Sequence, residues 1–135
     1  MVSIPFTQKP KRTETDMLVS EILAIKGKVL FTIAPNRSIA EAVEIMNEQD
    51  VGSLVVFSRG AMAGMLTFRE VIHTLAKNGG VLNGKTVRTV MDDHPMSCTP
   101  ETELEQVRPM MLERHTRYMP VMDNKMLMGV ISFYD

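Results

Sequence analysis

The spacing of apolar residues changes period several times along the chain, and each change predicts an element. Val29-Leu30-Phe31-Thr32-Ile33 is a β-rich run stopped by Pro35, which predicts a strand. The period then lengthens. Ile39, Ala42, Val43 and Met46 recur at i, i+3, i+4 and i+7, one face of a helix. Ser38 with Glu41 three residues on is a capping box that opens this helix. Gly52 to Phe57 predicts a strand, Ser58-Arg59-Gly60 a turn, Met62 to Leu66 the returning strand, and Thr67 to Ala76 a helix. Met17 to Leu23, ahead of these, predicts a short helical turn. The order is β-α-β-β-α, a mixed α/β (α+β) arrangement.

The second half of the chain repeats the first. A shift of 65 positions superimposes the sequence on itself without a gap from Ile33 onward. Pro35 falls on Pro100, Met46 on Met111, Val56 on Val121, Gly64 on Gly129 and Phe68 on Phe133. Val19 to Leu23 matches Val87 to Met91 once three residues are inserted. The second set of elements is then Met96 to Cys98 as strand, Glu103 to Glu113 as helix, Tyr118 to Met122 as strand, Asp123-Asn124-Lys125 as turn and Leu127 to Ile131 as strand. Thr102-x-x-Glu105 is its expected capping box, and Pro109 inside the helix is expected to kink it or shift its start. The chain ends at Asp135, where the first repeat enters its last helix, so that helix is expected to be missing from the second repeat. The expected division is a tail over 1–16, polar with Lys9, Lys11 and Arg12 and read as flexible, one repeat over 17–80 and another over 81–135. Modules of this size sit near the lower limit for a solitary core, so they should bury surface against each other as a pseudo-twofold pair.

Composition narrows the function. Hydrophobic content of 44% and charged content of 23% are those of an ordinary globular protein. A formal net charge of -1 gives no overall pull toward nucleic acid or membrane, and no apolar run is long enough to span one. Cys98 is the one cysteine, so no disulfide can form within the chain, which fits a reducing, cytoplasmic setting; it stands in the slot of Ile33 and reads as a small buried hydrophobe. Thirteen methionines suggest an adaptable core. His73, His94 and His115 stand apart with no metal-ligand spacing, and Asp92-Asp93-His94 has no nucleophile beside it. Gly79-Gly80 and Gly84 lack the context of a phosphate loop. No constellation for catalysis or for a metal is found, and the protein is expected not to be an enzyme.

The informative local pattern is Gly64-Met65-Leu66-Thr67-Phe68-Arg69-Glu70 with its twin Gly129-Val130-Ile131-Ser132-Phe133-Tyr134-Asp135. In each, a hydroxyl lies where a strand hands over to a helix N-terminus, a place that favours phosphate. A carboxylate follows one turn later on nearly the same face, suited to two vicinal ribose hydroxyls. Thr67-x-x-Glu70 and Ser132-x-x-Asp135 are equally capping boxes that need no ligand, and spacing alone favours that simpler reading.

The duplicated pattern resembles the cystathionine-β-synthase (CBS) domain family, and a tandem pair is a Bateman module. The resemblance runs from about Met17 to Asp135 and rests on Phe31 to Pro35, Ser97 to Pro100, Arg117 to Asp123 and Gly129-Val130-Ile131-Ser132-x-x-Asp135. It implies two CBS repeats packed as a pseudo-twofold pair, a stand-alone signal-transduction module, and a homodimer formed through the module helices. It also implies a regulatory site for an adenine nucleotide (AMP, ATP or a dinucleotide such as NAD(H)) in the cleft between the repeats, sensing energy or redox state for an effector protein that the sequence does not name. By the same resemblance Glu70 and Asp135 would hold ribose hydroxyls, and Thr67 and Ser132 would face phosphate. Backbone near Thr32-Ile33 and Cys98-Thr99, with the strand at Tyr118-Met119-Pro120, would contact the base. Arg117 is a phosphate partner or a solvated arginine, and Arg69 would serve the same end if it is not simply exposed. The first repeat departs from the family pattern, with Glu70 in place of aspartate and Gly52-Ser53-Leu54-Val55 lacking the arginine and proline of the second. The site of Ser132 and Asp135 is therefore the expected primary one. The alternative is a ligand-free dimerisation or protein-interaction module with degenerate nucleotide sites.

Overall fold

The computed structural model describes residues 17–27 and 30–133. The expectations for the tail over 1–16, for Val29 and for Asp135 lie outside the described residues. The elements run α1 (Val19–Lys26), β1 (Thr32–Ile33), α2 (Ile39–Gln49), β2 (Ser53–Ser58), β3 (Ala61–Thr67), α3 (Phe68–Lys77), α4 (Val87–Val90), α5 (Leu104–Arg114), β4 (Tyr118–Asp123) and β5 (Met126–Ser132). In the first repeat β1 pairs parallel with β2, and β2 pairs antiparallel with β3. In the second, β4 and β5 form the hairpin, and the parallel partner shrinks to one bridge between Cys98 and Val121. The expected strand Met96 to Cys98 is thus a single pairing point, held by Cys98 N–H on Pro120 O at 3.1 Å and Met122 N–H on Cys98 O at 2.8 Å.

The duplication extends to backbone detail. Asp50 and His115, 65 positions apart, both close their helices in the left-handed region at φ 54°. Both hairpins carry a register shift at the same place, between Val56 and Phe57 and between Val121 and Met122. The first hairpin turns through Arg59 and Gly60 with φ of 54° and 76°, positive at both central residues as the twist of a two-residue hairpin requires.

Three expectations need correction. Thr102 does not cap α5; Glu103 is the N-cap residue and makes no side-chain cap bond, while the Thr102 hydroxyl accepts from Thr99 N–H at 3.0 Å. Pro109 does not shift the start of α5, which begins at Leu104, the counterpart of Ile39, and runs on through the proline. Val43 points outward at 36% exposure, so the buried stripe of α2 is Ile39, Ala42 and Met46.

Each repeat completes its core with a helix from elsewhere in the chain. Val19 of α1 is fully buried among Cys98, Val107, Met111, Met119, Val121 and Ile131 of the second repeat. Val87 of α4 is fully buried among Ile33, Ile39, Met46, Leu54 and Leu66 of the first. The backbone tethers match: Val87 N–H donates to Arg37 O at 2.8 Å and Arg88 N–H to Pro35 O at 2.9 Å, while Val19 N–H donates to Thr102 O and Ser20 N–H to Pro100 O, both at 2.9 Å. Neither repeat buries its core without a segment lying outside its own β-α-β-β-α unit, which ties the halves together far more firmly than surface contact would.

Candidate functional site

The capping box at the start of α3 is complete. Thr67 Oγ1 accepts from Arg69 N–H at 3.2 Å, and Glu70 Oε1 accepts from Thr67 N–H at 2.7 Å and from the Thr67 hydroxyl at 2.8 Å. Both of these bonds fall on Oε1; Oε2 has no hydrogen bond to any described residue. One carboxylate therefore caps the helix and keeps an oxygen for a further donor, so the cap and ligand readings of this spacing do not exclude each other. Burial, the largest cause, raises the Glu70 carboxyl above its ordinary value, and the nearby Asp92 adds to this; the bonds from Thr67 and the charge of Arg69 oppose it.

Glu70 lies in a cleft of about 580 Å³ between the repeats. One wall is α3, with Thr67, Glu70, Thr74 and Lys77 on one face at helical spacing. The floor and far wall are Met65, Lys85, Thr89 and Val90 of α4, Asp92, Pro95 and Met96. Arg114, Thr116 and Tyr118 close it from the second repeat. Gly64 allows the linker to come this near: a Cβ there would overlap the Asp92 carbonyl oxygen, while Met65 and Asp92 exchange backbone hydrogen bonds of 2.9 Å both ways.

Two side chains join the repeats across the cleft. Arg69 Nη1 donates to Arg114 O at 3.0 Å and His115 O at 2.8 Å, satisfying the last carbonyls of α5 and setting a cation at its negative end. The Tyr118 ring lies on Gly52, the residue that stands in the slot of Arg117; a Cβ at Gly52 would overlap the Tyr118 hydroxyl and come within 2.9 Å of the Phe68 ring. Any side chain at Gly52, an arginine included, would therefore collide with the second repeat's tyrosine.

Of the expected site residues, the cleft brings together Thr67, Arg69, Glu70 and Tyr118. Arg117 lines an adjoining hollow with Thr67, Arg69 and Tyr118. Thr32 is elsewhere, in a groove between the two hairpin tips that includes Phe57, Met62, Asp123 and Met126. Ile33, Cys98, Met119 and Pro120 are buried, and the backbone of Cys98 is committed to Pro120 and Met122. Thr99 is exposed, its hydroxyl 3.2 Å from that of Thr102. Ser132 ends β5 opposite Tyr118 and is half-buried. Its carboxylate companion Asp135 lies outside the described residues, so the expected primary site is seen only in part. Cys98, with its thiol pushed up to about 11 by burial, is a core thiol.

Sequence reasoning missed Thr74, Lys77, Lys85, Asp92 and Arg114. The stripe from Thr67 to Lys77 at i, i+3, i+7 and i+10 was a visible signal for two of them. The others reach the cleft from the linker and from the end of α5, where no periodicity points. Among the described residues no group of three or more His, Cys, Asp or Glu could hold a metal, and no helix is long and apolar enough to cross a membrane.

Two interlocked repeats around a half-enclosed, charged cleft define a tandem-repeat module. The chain belongs to the CBS domain family: the CBS domain model matches residues 19–77 and again 87–135. It is similar to the CBS domain-containing protein YhcV of Bacillus subtilis, 31% identical over 77% of this chain and 74% of that one. The crystal structure of the CBS-domain containing protein ATU1752 from Agrobacterium tumefaciens has a TM-score of 0.83 at 27% identity, covering 87% of this chain and 94% of that one. The CBS domain pair of protein MJ0100, solved with 5′-methylthioadenosine and S-adenosyl-L-methionine, has a TM-score of 0.74 at 24% identity, covering 86% of this chain and 89% of that one.

Proposed function

We propose that this protein is a regulatory module that binds an adenine nucleotide, AMP, ATP or NAD(H), in the cleft between its repeats. The observation that carries this reading is the meeting of Thr67, Glu70 and Tyr118 in one cleft with four side-chain cations, Arg69, Lys77, Lys85 and Arg114, against two carboxylates, Glu70 and Asp92. A chain with net charge -1 has gathered positive charge where a phosphate would enter. Glu70 Oε2 suits a ribose hydroxyl, the N-terminus of α3 suits a phosphate, and Tyr118 offers an aromatic face to the base. The adenosine ligands held by the CBS pair of MJ0100 support the class of ligand. Asp135, with Ser132 and Arg117, would serve a second, pseudo-symmetric site. Binding would bias the relative placement of the repeats, since Arg69 and Tyr118 span both. No catalytic step is assigned to it, and its place is the cytoplasm.

We propose further that two copies pair through their helices. Phe68 and Ile72, one turn apart on α3, are 51% and 64% exposed, and Leu112 on α5 is 63% exposed. Light scattering at micromolar concentration should give twice the monomer mass.

Calorimetric titration of AMP, ATP, NADH and S-adenosylmethionine tests the main reading. At least one should bind saturably, with affinity reduced in Glu70→Ala or Asp135→Asn. No heat with any of the four would leave the second reading, an interaction module, which the ligand-free completeness of the Thr67–Glu70 cap favours.

A further inference from the structure

The groove between the two hairpin tips is apolar and has a volume of about 800 Å³. Leu30, Phe57 and Met62 line it from the first repeat, Met126 and Leu127 from the second. None of the five joins either core cluster, and Met126 is 67% exposed. Leu30 and Thr32 alternate with Phe31 and Ile33, which face the first core, so the strand turns them to the other side of the sheet. The two charges in the lining, Asp123 and Lys125, cancel, so the groove selects its occupant by apolar contact. This is not the nucleotide cleft. Ala61 at the tip and Thr67 at the cleft are the two ends of β3, about 20 Å apart along the strand.

The chain carries a fitting occupant of its own. Val2, Ile4 and Phe6 crowd into its first six positions, while positions 7–16 bring no apolar side chain except Pro10. That is an apolar anchor on a polar spacer. Met17, at the end of the spacer, is held beside α5 by Leu104 N–H on its carbonyl at 2.8 Å. From Met17 through α1 to Leu30 the chain spans at most about 32 Å, whereas the stretch from Met17 back to Phe6 can extend to about 36 Å. The anchor therefore reaches the groove. Tethering by so short a spacer sets an effective concentration on the order of millimolar, at which even a weak apolar contact is occupied. We propose that Val2, Ile4 and Phe6 lodge in this groove, so that the N-terminal segment clasps both repeats at the end away from the nucleotide cleft.

The test places a nitroxide at Ser3→Cys in the full chain and compares amide spectra with the label oxidised and reduced. Cys98 is buried and its thiol is pushed up to about 11, so at neutral pH the label takes the new cysteine alone. Amides of Phe57 to Met62 and Asp123 to Leu127 should lose most of their intensity, and those of Thr67 to Lys77 should keep theirs. Ile4→Asp/Phe6→Asp in the labelled chain should restore the lost signals, as should Met126→Asp, an exposed position where the fold tolerates the change. No loss at the tips, a loss spread evenly over the surface, or a loss that persists in both variants overturns the clasp. A labelled chain mixed with isotope-enriched wild type separates the remaining case: tip signals lost in that mixture mean that the segment docks on a second copy, which also overturns it.

Discussion

Ser38 and Glu103 occupy the same position in the two repeats, as do Gly64 and Gly129, yet neither pair does the same work. Ser38 accepts a hydrogen bond from Glu41 N–H at 3.1 Å and caps α2; Glu103 stands at the N-cap of α5 and makes no cap bond. Gly64 clears the backbone of Asp92, whereas Gly129 clears only the Leu23 side chain, 2.8 Å from where its Cβ would lie. Meanwhile the left-handed helix ends at Asp50 and His115 and the two hairpin bulges coincide. Duplication has kept the backbone and let the side chains diverge, because backbone geometry is fixed by packing from all sides while caps and clefts are local.

The twin glycines give the largest test. Gly64→Ala sets a methyl against a backbone oxygen that is itself in a bridge, and should cost about 1–3 kcal/mol as overpacking does. Gly129→Ala meets only the flexible end of Leu23 and should cost about 1 kcal/mol or less. Urea unfolding of both variants measures the gap; equal losses would mean that the two strands are buried alike.

The exchanged helices come next. Val19→Ala should cost about 2 kcal/mol by removing buried methyl groups, and Val87→Ala about the same. Their location should cross over. Hydrogen exchange should show β4 and β5 losing protection in Val19→Ala, although Val19 lies in the first repeat by sequence, and β2 and β3 losing it in Val87→Ala.

Smaller effects separate the caps. Ser38→Ala should lower stability by about 1 kcal/mol and Glu103→Ala by almost nothing, read as a difference in denaturation midpoint. Smallest is a pH effect at Glu70. Its carboxyl is raised above 4.5, chiefly by burial, so the folded state holds that proton more tightly than the unfolded chain does. Glu70 therefore subtracts stability as pH climbs from its unfolded value through its raised folded one, and the loss is complete above the latter. Glu70→Gln keeps a capping acceptor but no charge. Its stability relative to wild type should rise across that window and then level off.

Much of this was legible in the sequence. The 65-residue repeat, the change of period from Phe31 to Met46, the hairpin turn at Arg59-Gly60 and the Thr67-x-x-Glu70 box all follow from residues near one another in the chain. What escaped depends on neighbours distant in sequence. Nothing local shows that Val19 will join Val107 and Ile131, that Tyr118 will occupy the space above Gly52, or that Lys85 will line the same cleft as Glu70. Thr102 misled because a hydroxyl can cap a helix or bond within its own turn, and Thr99 N–H decided for the turn.

The most direct test of the central claim, that the cleft between the repeats takes an adenine nucleotide, is to follow the backbone amide spectrum of the protein during an ATP titration. The account predicts saturable shifts on both walls, at Thr67 to Glu70 and Thr89 to Asp92 on one side and Thr116 to Tyr118 on the other, with the hairpin tips at Phe57 to Met62 and Asp123 to Leu127 unmoved. Shifts confined to those tips, or no saturable shift at all, would contradict it.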